Sequence, residues 1–166
     1  MARRKGLVIH DEQLRLLDDV LAKLRRVSGS KFVAVISTSG QPITTSPADI
    51  ASDILSLAAL TASSYAAARQ LAEVLNEREF TILFHEGRES NLHVVQVTDQ
   101  VLLLIMFGRE TQVGRVRLYT TRALEVLRPV FEPVETSPGD SNPVDSEYFR
   151  QAGAALDDLL PVDQDY

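Results

Sequence analysis

The stretch Val101-Leu-Leu-Leu-Ile-Met-Phe107 decides the architecture. It is apolar on both faces, which is the pattern of a central strand covered on both sides, and Gly108 ends it. Two further strands lie just upstream. Phe80, Ile82 and Phe84 alternate with Thr81 and His85, and the turn His85-Glu-Gly-Arg-Glu89 leads into Asn91–Val97. Thr98-Asp-Gln100 then turns into the central run. Farther back, Lys31-Phe-Val-Ala-Val-Ile36 is rich in β-branched residues and Ser37-Thr-Ser-Gly40 is turn chemistry. Gln41-Pro-Ile-Thr-Thr45 reads as a shorter strand, and Pro42, having no N–H for a second ladder, places it at a sheet edge.

Helical periodicity fills the remainder. Leu14, Leu17, Leu21 and Leu24 recur at three- and four-residue steps, with Val20 beside them, so a first helix is predicted over about 11–26. His10 or Asp11 can cap it and Gly29 follows its end. A long helix is predicted from the cap Ser46-Pro47, with Asp49 three residues on and neither Gly nor Pro from Ile50 to Leu75. One of its stripes holds Ile54, Leu57, Leu60, Ala67, Leu71 and Val74, the larger apolar side chains suited to packing on the sheet. A second holds Ala58, Ala59, Ala62, Ser63, Ala66 and Arg69. A third helix is predicted over 110–128, with Val113, Val116, Leu118, Leu124 and Leu127 available for burial and Pro129 at or just beyond its end.

The 166 residues suit one domain, carry a net charge of −6 and contain no cysteine. That composition removes disulfide frameworks, thiol catalysis and iron–sulfur ligation, and it suits a reducing compartment. No apolar run approaches the roughly 18 residues of a spanning helix, and the basic start Met1-Ala-Arg-Arg-Lys5 is not followed by the apolar stretch of a signal peptide. Charge is unevenly placed: residues 132–166 carry nine acids and one base, whereas residues 1–131 are nearly neutral at +2. A nucleic-acid binder would need a basic footprint on its folded part, so nucleic acid is not expected as a partner. Four of the seven prolines fall between 129 and 143. The expected organisation is a flexible basic segment over 1–9, a domain over 10–131, a Pro-rich linker over 132–144 and an acidic amphipathic segment over 145–166. In that last segment Phe149, Ala152, Leu156, Leu159 and Leu160 share a stripe, and so short a helix must dock on something to persist.

Catalytic motifs are missing. There is no phosphate-cradling glycine loop, no GxSxG and no HExxH. Ser28-Gly-Ser-Lys31 matches S-x-x-K, but it sits in a helix-to-strand connection instead of on one helical turn. His85 and His93 lie near facing ends of a predicted hairpin, without the further ligands a metal would want. Catalytic, cofactor and metal residues are therefore expected to be none. The small-residue stripe Ala59, Ala62, Ser63, Ala66, with Arg69, is the unusual feature. It lets a second backbone approach closely, either that of a partner or that of the protein's own sheet.

The order helix, two strands, long helix, three strands, helix resembles the Roadblock/dynein light-chain family over residues 10–131. Leu57-Ala-Ala-Leu-Thr-Ala62 with Ala66-Ala67 and Leu71-Ala-Glu-Val-Leu75 is similar to the second helix of its bacterial MglB-type members. Phe80 to His85-Glu-Gly87, Val101–Phe107 with Glu110-Thr111, and Gly114-Arg-Val-Arg-Leu118 resemble their hairpin, last strand and third helix. Asp145-Ser-Glu-Tyr148 with Leu156-Asp-Asp-Leu-Leu160 resembles their C-terminal segment. The fold implied is α/β, a Roadblock-like three-layer α/β/α sandwich. It has a five-stranded antiparallel sheet, the long helix on one face and the first and third helices on the other, plus the amphipathic tail.

The resemblance further implies a homodimer that binds a small Ras-like, MglA-type GTPase, two copies per GTPase. It would stimulate GTP hydrolysis by repositioning the GTPase's own catalytic groups, as a cytoplasmic polarity regulator with a cell pole as one place of action. On that reading Phe80, Ile82 and Phe84 belong to the dimer contact, and Ala59, Ala62, Ser63, Ala66 and Arg69 to the GTPase seat. The tail contact is Phe149, Leu156, Leu159 and Leu160, and no membrane insertion is involved. A non-catalytic Roadblock scaffold is the alternative, and a profilin-like small-molecule sensor the third reading. Because no phosphate-cradling loop is present, the isolated protein is expected to bind neither GTP nor ATP tightly. Calorimetry on the purified chain checks this, and tight nucleotide binding would contradict it.

Overall fold

In the computed structural model, which describes residues 7–48, 53–78, 82–131 and 146–161, the run at 101 is the middle of the sheet. The elements are α1 (Asp11–Ser28), β1 (Phe32–Ser37), β2 (Pro42–Ser46), α2 (Ile54–Val74), β3 (Ile82–His85), β4 (Ser90–Thr98), β5 (Val101–Gly108), α3 (Val113–Phe131) and α4 (Ser146–Leu159). The sheet has five strands in the order β2-β1-β5-β4-β3, and every neighbouring pair is antiparallel. β5 pairs from Phe32↔Met106 to Ser37↔Val101 on one side and from Ser90↔Gly108 to Thr98↔Val101 on the other. Pro42 is on an edge strand as expected, and a register shift beside it further blunts that edge.

The two-residue period of a strand sorts β5 into two cores. Val101, Leu103, Ile105 and Phe107 join Val33, Val35, Val95 and Val97 beneath α1, α3 and α4. Leu102 and Leu104 join Phe32, Ala34, Ile36 and Val94 beneath α2. The long helix on one face and the first and third helices on the other is the layering the sequence suggests.

Local chemistry sets the ends of α1. The His10 amide donates to Gln13 Oε1 at 2.8 Å, and Asp11 and Glu12 occupy the positive first turn. Gly29 adopts φ 72° at the other end, so that its amide and that of Ser30 reach back to the carbonyls of Arg26 and Arg25. Thr111 Oγ1 donates to the Gly29 carbonyl at 2.8 Å and Arg115 Nε to that of Val27 at 2.6 Å, which ties the start of α3 to the end of α1.

Several expectations are corrected. Ser46 is the last residue of β2, and α2 begins at Ile54 after Asp53, so Ser46-Pro47 caps nothing; Asp49 and Ile50 lie outside the described residues. Leu14 and Leu118 are exposed rather than buried. α3 starts at 113, not 110, and continues through Pro129 to Phe131. Proline removes one backbone bond there. Val130 is buried against the core beyond it, and Gln13 Nε2 donates to the Val130 carbonyl at 2.9 Å, which holds the last turn in place. The first six residues, the 132–144 linker and residues 162–166 are outside the described residues.

His93 lies on the α1/α3 side of β4, opposite Phe84 and Ile105 and 2% exposed. Its Nδ1 finds no hydrogen-bond partner among the described residues. Burial holds its pKa down to about 4, and the nearby Arg117 guanidinium pushes the same way. The folded protein thus keeps this imidazole neutral while the unfolded chain takes up a proton near the ordinary 6.5. Stability from this site is complete above about pH 6.5 and declines as pH falls toward 4, by at most about 1.4 kcal/mol per pH unit. Urea titrations from pH 7 to pH 4.5 check this; a His93→Leu variant should lose that part of the slope.

Candidate functional site: the outer face of the long helix

α2 has the amino-acid content of a buried helix and the placement of a surface one. Its inward side is made of Ala58, Thr61, Ala62, Tyr65 and Ala72, all buried, with Ile54, Leu57 and Ala68 partly so. Small residues here let the helix axis sit close to a sheet face already filled by Phe32, Ile36, Leu102 and Leu104. Tyr65 is the large exception. Its ring is buried and its hydroxyl bonds Gln96 on β4 at 2.7 Å. At the first half of the helix the β1–β2 turn comes closer still: a Cβ on Gly40 would stand 3.0 Å from Ala59 Cα, and Gly40 has φ 89°.

The outward side consequently carries the larger side chains. Leu60 is 68% exposed, Leu71 52% and Val74 79%, with Leu55 and Leu75 exposed at the two ends. Ala59, Ser63, Ala66, Ala67 and Arg69 are exposed among them. Each of the two stripes expected from the sequence is divided between the faces: Ile54 and Leu57 of the larger stripe do pack on the sheet, and Ala59, Ser63, Ala66 and Arg69 of the small stripe are exposed. The stripe of larger residues is the one expected on the sheet, but Leu60, Leu71 and Val74 point away from it, while Ala58 and Ala62 of the small stripe face it. The signal that could have settled the matter is Tyr65. Of the positions at helical steps from it, 58, 61, 62 and 72 are buried and 68 is partly so.

Of the residues expected at a GTPase seat, Ala59, Ser63, Ala66 and Arg69 lie together in the open and Ala62 does not join them, at 5% exposure. Of those expected at a dimer contact, Ile82 is half exposed on β3, an edge strand of the sheet. Phe84 packs inward, 6.2 Å from the Phe107 ring centroid, and Phe80 lies outside the described residues. Of those expected in the tail contact, Leu156 and Leu160 are buried and Leu159 partly so, in the same core as α1 and α3. The side chain of Phe149 lies outside the described residues.

The polar motifs have local employment. Ser28 Oγ donates to the Leu24 carbonyl at 2.6 Å and lies 2.7 Å from Ser30 Oγ, while Lys31 pairs with Glu110 at 4.0 Å, so the S-x-x-K spelling is helix-end bonding. Asn91 Oδ1 accepts from the Gly87 amide at 3.2 Å and closes the β3–β4 turn. Among the arginines, Arg122 lies over the Tyr119 ring at 5.5 Å and Arg115 is held by Val27.

The model of the Roadblock/LC7 domain matches residues 16–107, from α1 to the central strand. The chain belongs to the Roadblock/LC7 family. Solved relatives agree over a longer span. Myxococcus xanthus MglB is 33% identical, with a TM-score of 0.67 over 71% of this chain and 96% of its own. The gliding protein MglB from Thermus thermophilus is 27% identical, with a TM-score of 0.70 over 77% of this chain and 97% of its own. An MglB with a tetrameric arrangement gives 27% and 0.70 over 77% of this chain and 96% of its own. No curated protein sequence matches the chain. Among the described residues no helix is long and apolar enough to cross a membrane, and no group of three or more His, Asp or Glu could hold a metal ion.

The inward and outward alanines of α2 therefore respond differently to the same change. Ala62→Arg must prise the helix off the sheet or bury a guanidinium, and is expected to cost on the order of 3 kcal/mol. Ala66→Arg points to solvent and is expected to change stability by less than about 0.5 kcal/mol. Thermal melts of the two variants test the assignment of the faces.

Proposed function

We propose that this Roadblock-family regulator works as a homodimer that binds a small Ras-like GTPase and stimulates its GTP hydrolysis, in the manner the MglB likeness suggests. One observation carries the proposal: the outer band of α2 leaves Leu60, Leu71 and Val74 largely exposed, and β3, where Ile82 is half exposed, is an edge of the sheet. Scattered apolar surface residues are ordinary, whereas an apolar band along one helix, or an uncovered sheet edge, is the usual form of a protein interface. Two α2 helices side by side would set Ala59, Ser63 and Ala66 near the two-fold axis as a low platform for one GTPase molecule. The β3 edges would pair alongside, in an isologous contact.

Acceleration without an inserted arginine is chemically sufficient on this reading. Phosphoryl transfer depends mainly on positioning and on stabilising charge, so a dimer that presses the GTPase's own groups into register need supply no catalytic atom.

The test is single-turnover GTP hydrolysis by a cognate Ras-like GTPase, with and without the protein. Wild-type protein should raise the rate, and Ala66→Arg, still folded and dimeric, should weaken the half-maximal concentration tenfold or more, about 1.4 kcal/mol. Binding without any change in rate would favour the scaffold reading. A variant that binds and stimulates like wild type would move the GTPase site off α2.

A further inference from the structure

The second apolar contact of the chain is the one made by α4. This helix lies against α1 and α3, and Leu156 and Leu160 are 1% and 0% exposed within the same core as Leu16, Val20 and Val27 of α1 and Leu127 and Val130 of α3. Ala152 and Leu159 pack against the margin of that core. Leu156, Leu159 and Leu160 are spaced as one face of a helix seated in a groove. At the rim Lys23 of α1 pairs with Asp157 of α4, whose side chain is still 74% exposed. Charge agrees with shape: residues 132–166 are strongly acidic and the rim offers a lysine.

Two properties make this contact transferable. α4 is not a strand of the sheet, and its seat is built from side chains and an exposed ion pair; that same seat exists on every copy of the chain. Fourteen residues separate Phe131 from Ser146, and fifteen peptide steps can reach roughly 50 Å when extended, more than the width of a domain this size. A 14-residue helix is marginal in water, so α4 that leaves one groove is driven to enter another.

We propose that the groove between α1 and α3 is a helix-binding site that accepts α4 from a second copy of this chain as well as its own. The occupant is an acidic amphipathic helix with leucines at i, i+3 and i+4, and the nearest supply is another protomer. This interface lies on the face of the sheet opposite α2. Resting on the dimer proposed above, exchange of the two helices strengthens that dimer by raising the effective concentration of each groove for the other's α4.

The absence of cysteine from the sequence gives a direct experiment. Full-length Lys23→Cys and full-length Asp157→Cys each carry one thiol, at exposed or half-exposed positions where folding is checked by circular dichroism. The two are mixed and treated with a short bismaleimide; each alone and the Lys23→Cys/Asp157→Cys double variant are treated in parallel. The double variant should cross-link within one chain, showing that α4 is seated. The mixture should then give a covalent product of twice the chain mass at least fivefold above either protein alone, since neither single-thiol chain can make the 23–157 link by itself. Internal linking in the double variant with no excess product in the mixture overturns exchange. No 23–157 link in either the double variant or the mixture overturns the groove itself. Light scattering on wild-type protein reports separately on the dimer proposed through α2 and β3, so failure of that dimer is not confused with failure of the exchange.

Discussion

The rest of the structure is referred to the double burial of β5. A strand with Val101, Leu103, Ile105 and Phe107 on one side and Leu102 and Leu104 on the other needs a layer on both faces, and neither layer is optional. The side toward α1 and α3 is met by leucines and valines from two helices and from α4. The side toward α2 is met differently. Phe32, Ile36, Leu102 and Leu104 fill that face from the sheet, so the helix above contributes mostly alanine and one tyrosine. The division of bulk between sheet and helix is what frees the larger residues of α2 for its outer side.

This division also marks how far the sequence could be read. The strands, their order of succession, the edge position of Pro42 and the double coverage of the central run follow from period and turn chemistry, because each is written in neighbouring residues. Which side of α2 faces inward is not local information. It depends on how much volume the opposite sheet face already supplies, and that sum runs over β1, β4 and β5. A helix with two apolar stripes has no intrinsic preference, and assigning the larger stripe to the core is the natural error. The start of α2 and the end of α3 are misplaced by sequence reasoning for a related reason. Ser46 is absorbed by pairing with Val33, and Pro129 is carried along by the burial of Val130.

The two faces of the sandwich are finished differently. Around α2, apolar side chains stand exposed. Around α1 and α3 the apolar surface is closed by α4. The ends of α1 and α3 are joined there by Thr111 and Arg115, whose donors satisfy carbonyls at the end of α1. The same scaffold therefore presents one open surface and one covered by a docked helix.

The contact between Gly40 and Ala59 places a fixed stop under the first half of the long helix. A Cβ on Gly40 would stand 3.0 Å from the Ala59 Cα, so close that the helix would have to give way, and φ 89° discourages one in any case. A rod held at such a stop pivots about it: a small tilt leaves the end near Gly40 in place and sweeps the far end, with Leu71 and Val74, through the larger arc. Roughly twelve residues separate Ala59 from Leu71, about 18 Å of helix. A tilt of a few degrees thus moves the apolar tip by about an ångström while the turn beneath Ala59 stays still. A close approach at one end of the helix would in this way act as the bearing for any tilt of its exposed end.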